Sequence, residues 1–357
     1  MRLFDHPDFD DHEHVVFARD AASGLRAIIA VHSTRAGPAC GGVRFWHYPD
    51  EEAALADALR LSRAMSYKNV MAGLPLGGGK SVIMADAART KTPELLHAFG
   101  RALDRLGGAY VAAEDVGITT DDIARIREVT PYVAGSPTGA NASGDPSPFT
   151  ARGVFLGILA AARFRLGARS LDGLTVGVQG LGAVGMKLAE LLAAAGARLI
   201  VADLDPRRVE EARARLRAQS CPPDALPLQP MEIFAPCALG GVLTETVALA
   251  LQATIVAGSA NNQLATPAAG VLLQRRGILY APDYVINAGG VINVASEVGG
   301  RYDLVAVEAA IARIPKTLEL IFTRAAEEDR PTGEIADEIA RARLATMAPR
   351  PSIRSAA

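Results

Sequence analysis

Cysteine, lysine and tryptophan are scarce in this chain of 357 residues, and long runs of purely apolar residues are absent from it. The three cysteines, Cys40, Cys221 and Cys237, are scattered and odd in number. That excludes a disulfide framework and a zinc knuckle, and leaves reduced thiols whose role is packing. No apolar run is long enough to span a bilayer. The opening, MRLFDHPDFDDHEH, is acidic where a secretory leader needs a basic end and an apolar middle, so a cytoplasmic protein is expected. A formal charge of −2 leaves no electrostatic footprint for nucleic acid or an acidic membrane surface, and neither is expected as a partner. His12-Glu13-His14 could offer two imidazoles to a metal from one strand face, but a wet N-terminal segment is the simpler reading, and no metal site is expected. What remains is an ordinary globular chain, 50% hydrophobic and long enough for about two domains.

The strongest motif lies in the second half, at LTVGVQGLGAVGMKLAELLAAAGARLIVADLD (174–205). A β-branched run ending at Val178 gives way to Gly180-Leu-Gly182-Ala183-Val184-Gly185. An alanine- and leucine-rich helical segment follows, then an apolar run from Leu199 to Ala202 closed by Asp203. Strand, glycine turn, helix and strand in that order form the dinucleotide fingerprint. Gly180 permits the turn, Gly182 lets main chain approach a pyrophosphate, and Gly185 lets the helix lie against the sheet. Asp203 is placed to accept hydrogen bonds from the adenosine ribose, and its charge disfavours a 2′-phosphate, so NAD is expected over NADP. Arg207 and Arg208 argue the other way unless they simply open the next helix. Further strand candidates end in small and polar residues. Ala235 to Ala238, Gly258 to Asn262 and Asn287 to Val291 are therefore expected as cofactor- and substrate-facing loops, which brings in Cys237, Ala238 and Asn287.

The first half carries no such fingerprint. It reads as a strand from Gly24, a loop GPACGGVRF from Gly37 and a helix from Glu51 that holds Lys68 near its end. A glycine loop and a strand SVIMA come next, then a helix near Pro93 and an apolar run closed by Glu114 and Asp115. Only five of the 37 basic residues are lysine, and two of them, Lys68 and Lys80, stand in MSYKNVMAGLPLGGGKS (65–81). A chain that writes its positive charge as arginine keeps lysine for what arginine cannot do, which is to lose a proton. A phosphate loop is excluded, because the glycine required five places before the Gly-Lys pair is Leu74, and Gly73 misses by one. Two lysines in a partly dry cleft can divide a dehydrogenase's labour. One pairs the substrate carboxylate, and its field depresses the other until it acts as a base. Glycines beside them would leave room for substrate against main chain.

These segments resemble the leucine, phenylalanine and valine dehydrogenases, relatives of glutamate dehydrogenase. The similarity runs nearly end to end through GLRAIIAVHSTRAGPACGGVRF, MSYKNVMAGLPLGGGKSVI, AAEDVGITTDDI, GDPSPFTARGV, FAPCALGG, IVAGSANNQL and YAPDYVINAGGVINVASE. The resemblance implies an α/β protein of two domains with a cleft between them. A substrate and oligomerisation domain would take residues 1–140 plus 331–357, and a Rossmann-type doubly wound NAD-binding domain residues 141–330. It implies reversible oxidative deamination of an L-amino acid to a 2-oxo acid and ammonia, by a homo-oligomer. By similarity Lys68 holds the α-carboxylate, Lys80 is the acid/base that activates water, and Asp115 assists proton transfer at nitrogen. Main chain at Gly41 and Gly42, and Asn262, look like further substrate contacts, and Thr150 like a nicotinamide neighbour. The side-chain pocket falls on Cys40, Ala113, Val291 and Val294. Ala113 and Val291 match the leucine type, while Cys40 and Asn261 depart from it. A leucine-like substrate is therefore expected, with an aromatic amino acid, or an NAD-binding sensor without catalysis, as alternatives. Pro315 should split its region into two helices, the second starting there. The segment that follows should pack back on the first domain and end in a frayed PRPSIRSAA.

Overall fold

The computed structural model describes residues 2–85, 91–135, 142–298 and 302–347, so PRPSIRSAA (349–357) lies outside the described residues. The chain packs as two compact units: Met1–Asp145 with Val291–Leu304 and Ala340–Ala357, and Pro146–Gly290 with Val305–Ile339. Packing thus groups 291–304 with the N-terminal half and 331–339 with the other, where the sequence reading divides the chain at 140 and 330. None of the described helices is long and apolar enough to cross a membrane.

The first unit is built on strands β1 (His14–Asp20), β2 (Leu25–Ser33), β3 (Ala39–Trp46), β4 (Gly77–Met84) and β5 (Tyr110–Glu114). Their order is β1-β2-β4-β3-β5, antiparallel across the first two pairings and parallel across the last two. Helix α1 (Glu51–Met71) starts where the Asp50 side chain accepts from the Ala53 amide at 2.8 Å. It lays Ala54, Leu55, Ala58 and Leu59 on one face of the sheet, against Ile28, Ala30 and Val82. Helix α2 (Pro93–Asp104) starts behind a Thr92 cap and a first-turn proline, and covers the other face with Leu95, Leu96, Phe99 and Leu103. Helix α3 (Thr120–Arg127) opens on a Thr119–Asp122 capping box.

Two segments expected as loops are strands. GPACGGVRF supplies most of β3, and the glycine run is the first half of β4. At two of these glycines the room is taken by the protein itself. A Cβ at Gly78 would fall under 3 Å from the Ser66 amide of α1, and one at Gly79 would fall 2.6 Å from the Tyr110 ring. Glycine in a strand commonly marks such an approach of backbone to backbone.

The expected wet N-terminus holds for Glu13 and His14, which are exposed, but not for His12, which is buried with its Nε2 2.9 Å from Ser62 Oγ and 3.1 Å from the Leu59 carbonyl. Its Nδ1 accepts from the Asp10 amide, which favours the neutral ring. His32 stacks edge-on at 5.0 Å and places Nδ1 2.7 Å from Ser66 Oγ. Burial, then the His12 charge, lowers the His32 pKa to about 4, against a partial counter-pull from Asp10. In the unfolded chain the same ring binds a proton near 6.5, so between pH 6.5 and 4 the unfolded state holds more protons and stability is lost as the pH is lowered. The expected loss is on the order of 3 kcal/mol. Denaturant midpoints at pH 7 and 4.5 measure it, and His32→Gln should show a smaller drop than the parent. Equal drops would assign the acid loss to the carboxylates.

The second unit carries β6 (Thr175–Gln179), β7 (Arg198–Ala202), β8 (Gln219–Ser220), β9 (Ile233–Pro236), β10 (Ile255–Val256) and β11 (Leu279–Tyr280). They form one parallel sheet in the order β11-β10-β9-β6-β7-β8. Counted from β6 this is the doubly wound order 3-2-1-4-5-6, whose strand direction of travel reverses between β6 and β9. Helices α4 (Ser147–Leu166), α5 (Ala183–Ala194), α6 (Pro206–Leu216), α7 (Glu245–Ala250), α8 (Pro267–Arg275) and α9 (Asp283–Ile286) connect and cover it. The expected loop from Asn287 to Val291 becomes helical at Gly289, where α10 (Gly289–Ala295) begins. Helix α11 (Leu304–Ile311) stops short of Pro315, and α12 (Ile314–Glu328) holds that proline in its first turn, where no amide donor is missed. The end of α13 (Thr332–Thr346) belongs to the first unit, and there Arg341 donates to the Tyr67 hydroxyl at 3.0 Å.

Candidate functional site

In the first unit β3 lies between β4 and β5, and the side chains that matter reach across it. Lys80, on β4, meets Asp115, the residue after β5, with Nζ 2.6 Å from Oδ2. They span Gly42 of β3, whose Cβ would come 2.6 Å from Asp115 Cβ and 3.1 Å from Lys80 Nζ. A side chain at 42 would therefore wedge the pair apart. The carbonyls of Gly41 and Gly42 accept from the Tyr110 hydroxyl at 2.9 and 3.2 Å. Strand alternation puts Lys80 on the same face as Gly78 and Val82, the face that α1 covers. Lys68 sits in the last turn of α1, half-buried. Its neighbour Asn69 donates to the Cys40 and Gly77 carbonyls at 3.3 and 2.6 Å, which pins that turn to the starts of β3 and β4.

Lys80 is only 7% exposed, and burial is the largest influence on it. It outweighs the attraction of Asp115 and pulls the amine towards its neutral form. Arg44 is a cation that adds to this effect. Burial would raise the Asp115 carboxyl, but Lys80 and Arg44 overcome it and hold the group ionised. The two shifts pull the pair in opposite senses. The favoured direction is a charged carboxylate beside an amine that yields its proton, because Asp115, at 20% exposed, has two cations to support it. Arg44, Asp57 and Tyr48 complete this network and were missed by sequence reasoning. Arg44 reaches Asp115 at 2.9 Å and Asp57 at 2.8 Å, and Tyr48 donates to Asp57 at 2.7 Å. Glu114, the other carboxylate at the strand end, stands half-buried with its pKa raised by burial and by Asp145 and Asp122.

Of the expected pocket positions, Cys40 is fully buried, and burial with the Glu297 charge pushes its thiol up to about 12. Ala113 lies opposite Gly42 in register and is half-buried. Val291 and Val294 stand three apart on α10, on one side of the helix.

The second unit assembles the expected nucleotide turn at the carboxyl ends of β6 and β9. Gly180 has φ +97° and packs on Ala238, and Gly185 packs on the Gly180 carbonyl with Cys237 beside it. Gly182 has nothing within 4 Å of where its Cβ would stand, and it begins α5 without any side-chain cap. The free amides of that first turn, with Ala183 exposed and Val184 half-buried, suit a pyrophosphate. Asp203 accepts from the Leu181 amide at 2.6 Å and the Asp205 amide at 2.8 Å. Arg207 is engaged with Asp205, which caps α6, so the arginines open a helix. Arg208 stands 3.8 Å from Asp203. Asn287 donates to the Ser259 carbonyl and Asn261 Oδ1, while its own Oδ1 is buried with no hydrogen-bond partner. An orphaned acceptor of this kind fits an amide donor such as the carboxamide of a nicotinamide dinucleotide. Thr150 bonds back to the Pro146 carbonyl at 3.1 Å and touches the start of α10 at Gly290. Asn262 is exposed in the left-handed region at φ +50°, which asparagine tolerates better than most residues.

Comparison with known proteins agrees with this arrangement. The Glu/Leu/Phe/Val dehydrogenase dimerisation domain matches residues 12–132, and the Glutamate/Leucine/Phenylalanine/Valine dehydrogenase domain matches residues 205–330. The chain is 46% identical to the leucine dehydrogenase of Geobacillus stearothermophilus, over 97% of this chain and 94% of that one. It is 45% identical to the valine dehydrogenase of Streptomyces coelicolor over 97% and 95%. The crystal structure of L-tryptophan dehydrogenase from Nostoc punctiforme superposes with a TM-score of 0.83 at 44% identity, covering 94% of this chain and 96% of that one. A doubly wound nucleotide unit, a mixed-sheet unit with a buried lysine–aspartate pair, and these matches together place the chain in the glutamate/leucine/phenylalanine/valine dehydrogenase family of amino-acid dehydrogenases.

Proposed function

We propose that the protein catalyses the NAD-dependent, reversible oxidative deamination of a leucine-like L-amino acid to its 2-oxo acid and ammonia. The observation that carries this reading is the buried Lys80–Asp115 pair, 2.6 Å apart. Lys68 pairs the substrate α-carboxylate, with main chain at Gly41 and Gly42, and Asn262, as further contacts. The turn from Gly180 to Gly185, Asp203, Cys237, Ala238, Asn287 and Thr150 holds the dinucleotide, and the side chains of Cys40, Ala113, Val291 and Val294 line the substrate pocket. A bound nicotinamide would supply the hydride acceptor for Cα, and loss of that hydride turns the substrate amine into an iminium. Neutral Lys80 then takes a proton from water as its oxygen attacks that carbon, and Asp115 serves the proton that leaves with ammonia. The ionised Asp203, with Arg207 turned to Asp205, supports NAD over NADP. The work is assigned to a cytoplasmic homo-oligomer, in keeping with a dimerisation domain over residues 12–132.

A second reading is oxidation of an aromatic amino acid. It is favoured by Cys40, which is smaller than leucine and fully buried in β3. One methylene in a pocket discriminates by only about 1–3 kcal/mol, so a single position cannot decide between the two. The test is kcat/KM for leucine, valine, phenylalanine and tryptophan with NAD at alkaline pH, followed by NADH absorbance. Leucine or valine should exceed the aromatics by at least about tenfold. The reverse order would select the aromatic reading. NAD binding without turnover of any amino acid would leave a sensor.

A further inference from the structure

The carboxylate that meets Lys80 is shared, and the sharing is built. Asp115 Oδ2 lies 2.6 Å from Lys80 Nζ and 2.9 Å from Arg44 Nε, while Arg44 Nη1 lies 2.8 Å from Asp57 Oδ2. Asp57 also takes the Tyr48 hydroxyl at 2.7 Å and Arg60 at 3.1 Å. Around Lys80, then, stand Asp115 beyond β5, Arg44 on β3, Tyr48 after β3, and Asp57 and Arg60 on α1. Inside the cluster two cations face two carboxylates, and Arg60 sits at the rim, 59% exposed.

We propose that Arg44 is a positioning residue for the reaction: it occupies part of the Asp115 carboxylate and adds a fixed positive charge, and so keeps Lys80 able to act as a base. This rests on the reading of Lys80 as the acid/base. The geometry requires a guanidinium. Its planar fork spans two carboxylates at once, which a lysine's point charge on a flexible stem does not reproduce. It also cannot lose its own proton, so of the two cations only Lys80 can yield. Take Arg44 away, and the Asp115 carboxylate is left to one amine, with Asp57 only partly balanced by Arg60 at the rim, so Lys80 holds its proton more firmly. The influences on Lys80 carry the same signs, Arg44 lowering its pKa while Asp115 and Asp57 raise it.

The experiment uses the intact chain labelled with ε-¹³C lysine. With five lysines in the sequence, Lys80→Met identifies the Lys80 signal by its loss. In Arg44→Gln the titration midpoint of Lys80 should rise by about one pH unit, and the acid limb of kcat/KM should move up with it, costing about tenfold in rate at a pH on that limb. Arg44→Gln/Asp57→Asn restores the charge balance and should bring both back most of the way. A merely structural role would not produce that reversal. Asp57→Asn alone should lower the midpoint, which keeps the proposal exposed to refutation if Arg44→Gln does not fold. A Lys80 midpoint unmoved by these changes overturns the proposal. A midpoint that moves while the pH–rate limb stays put sustains Arg44's hold on Lys80 and removes Lys80 from the acid/base role instead.

Discussion

Lys80→Ala should lower kcat by roughly 10³-fold or more, within the span general acid–base catalysis supplies, while NAD still binds. The variant loses the amine proposed as the acid/base. The fold should persist, because Asp115 keeps Arg44 at 2.9 Å and is not left as an unpaired buried charge. The companion variant Lys80→Arg separates charge from proton transfer. It can still pair Asp115, yet its guanidinium stays protonated, so it should be as inactive as alanine. Steady-state kinetics, with NAD affinity from protein fluorescence and melting temperatures as controls, measure all three quantities. Near-normal kcat in either variant would remove Lys80 from the mechanism.

Legibility of this site in the sequence divides along a physical line. The nucleotide unit could be read because its chemistry is local: strand, glycine turn, helix and acid lie within Leu174 to Asp205, and each residue type has a steric or electrostatic reason at its spacing. Lys68 and Lys80 stood out for a different reason, the scarcity of lysine in a chain rich in arginine. Arg44 had neither advantage. It is one arginine among many, and its partners Asp57 and Asp115 lie 13 and 71 residues away along the chain, joined only when β3 settles between β4 and β5. The glycine strands failed for a related reason. Glycine within a short segment signals a loop, and only the tertiary neighbours, Ser33, Ser66 and Tyr110, explain why β4 begins with three of them. His12 was misread on position alone, since an N-terminal location says nothing of the α1 residues that bury it.

Two glycines three residues apart in the nucleotide turn should fail in opposite ways when each becomes alanine. At Gly185 a Cβ would lie under 3 Å from the Gly180 carbonyl oxygen, which is main chain and cannot swing aside. The helix must lift from the turn, at a cost of about 3 kcal/mol, and the melting temperature should fall by several degrees. At Gly182 φ is −68°, which any residue adopts, and no atom stands within 4 Å of the new methyl. Gly182→Ala should therefore melt as the parent does, yet bind NAD at least about tenfold more weakly, because the methyl takes the space through which main chain approaches a pyrophosphate. Thermal melts and NAD titration of the two purified variants supply both readouts. Unweakened NAD binding in Gly182→Ala would place the dinucleotide elsewhere on the protein. An unchanged melt in Gly185→Ala would mean that α5 can shift without loss, and that the helix does not depend on this contact for its seat.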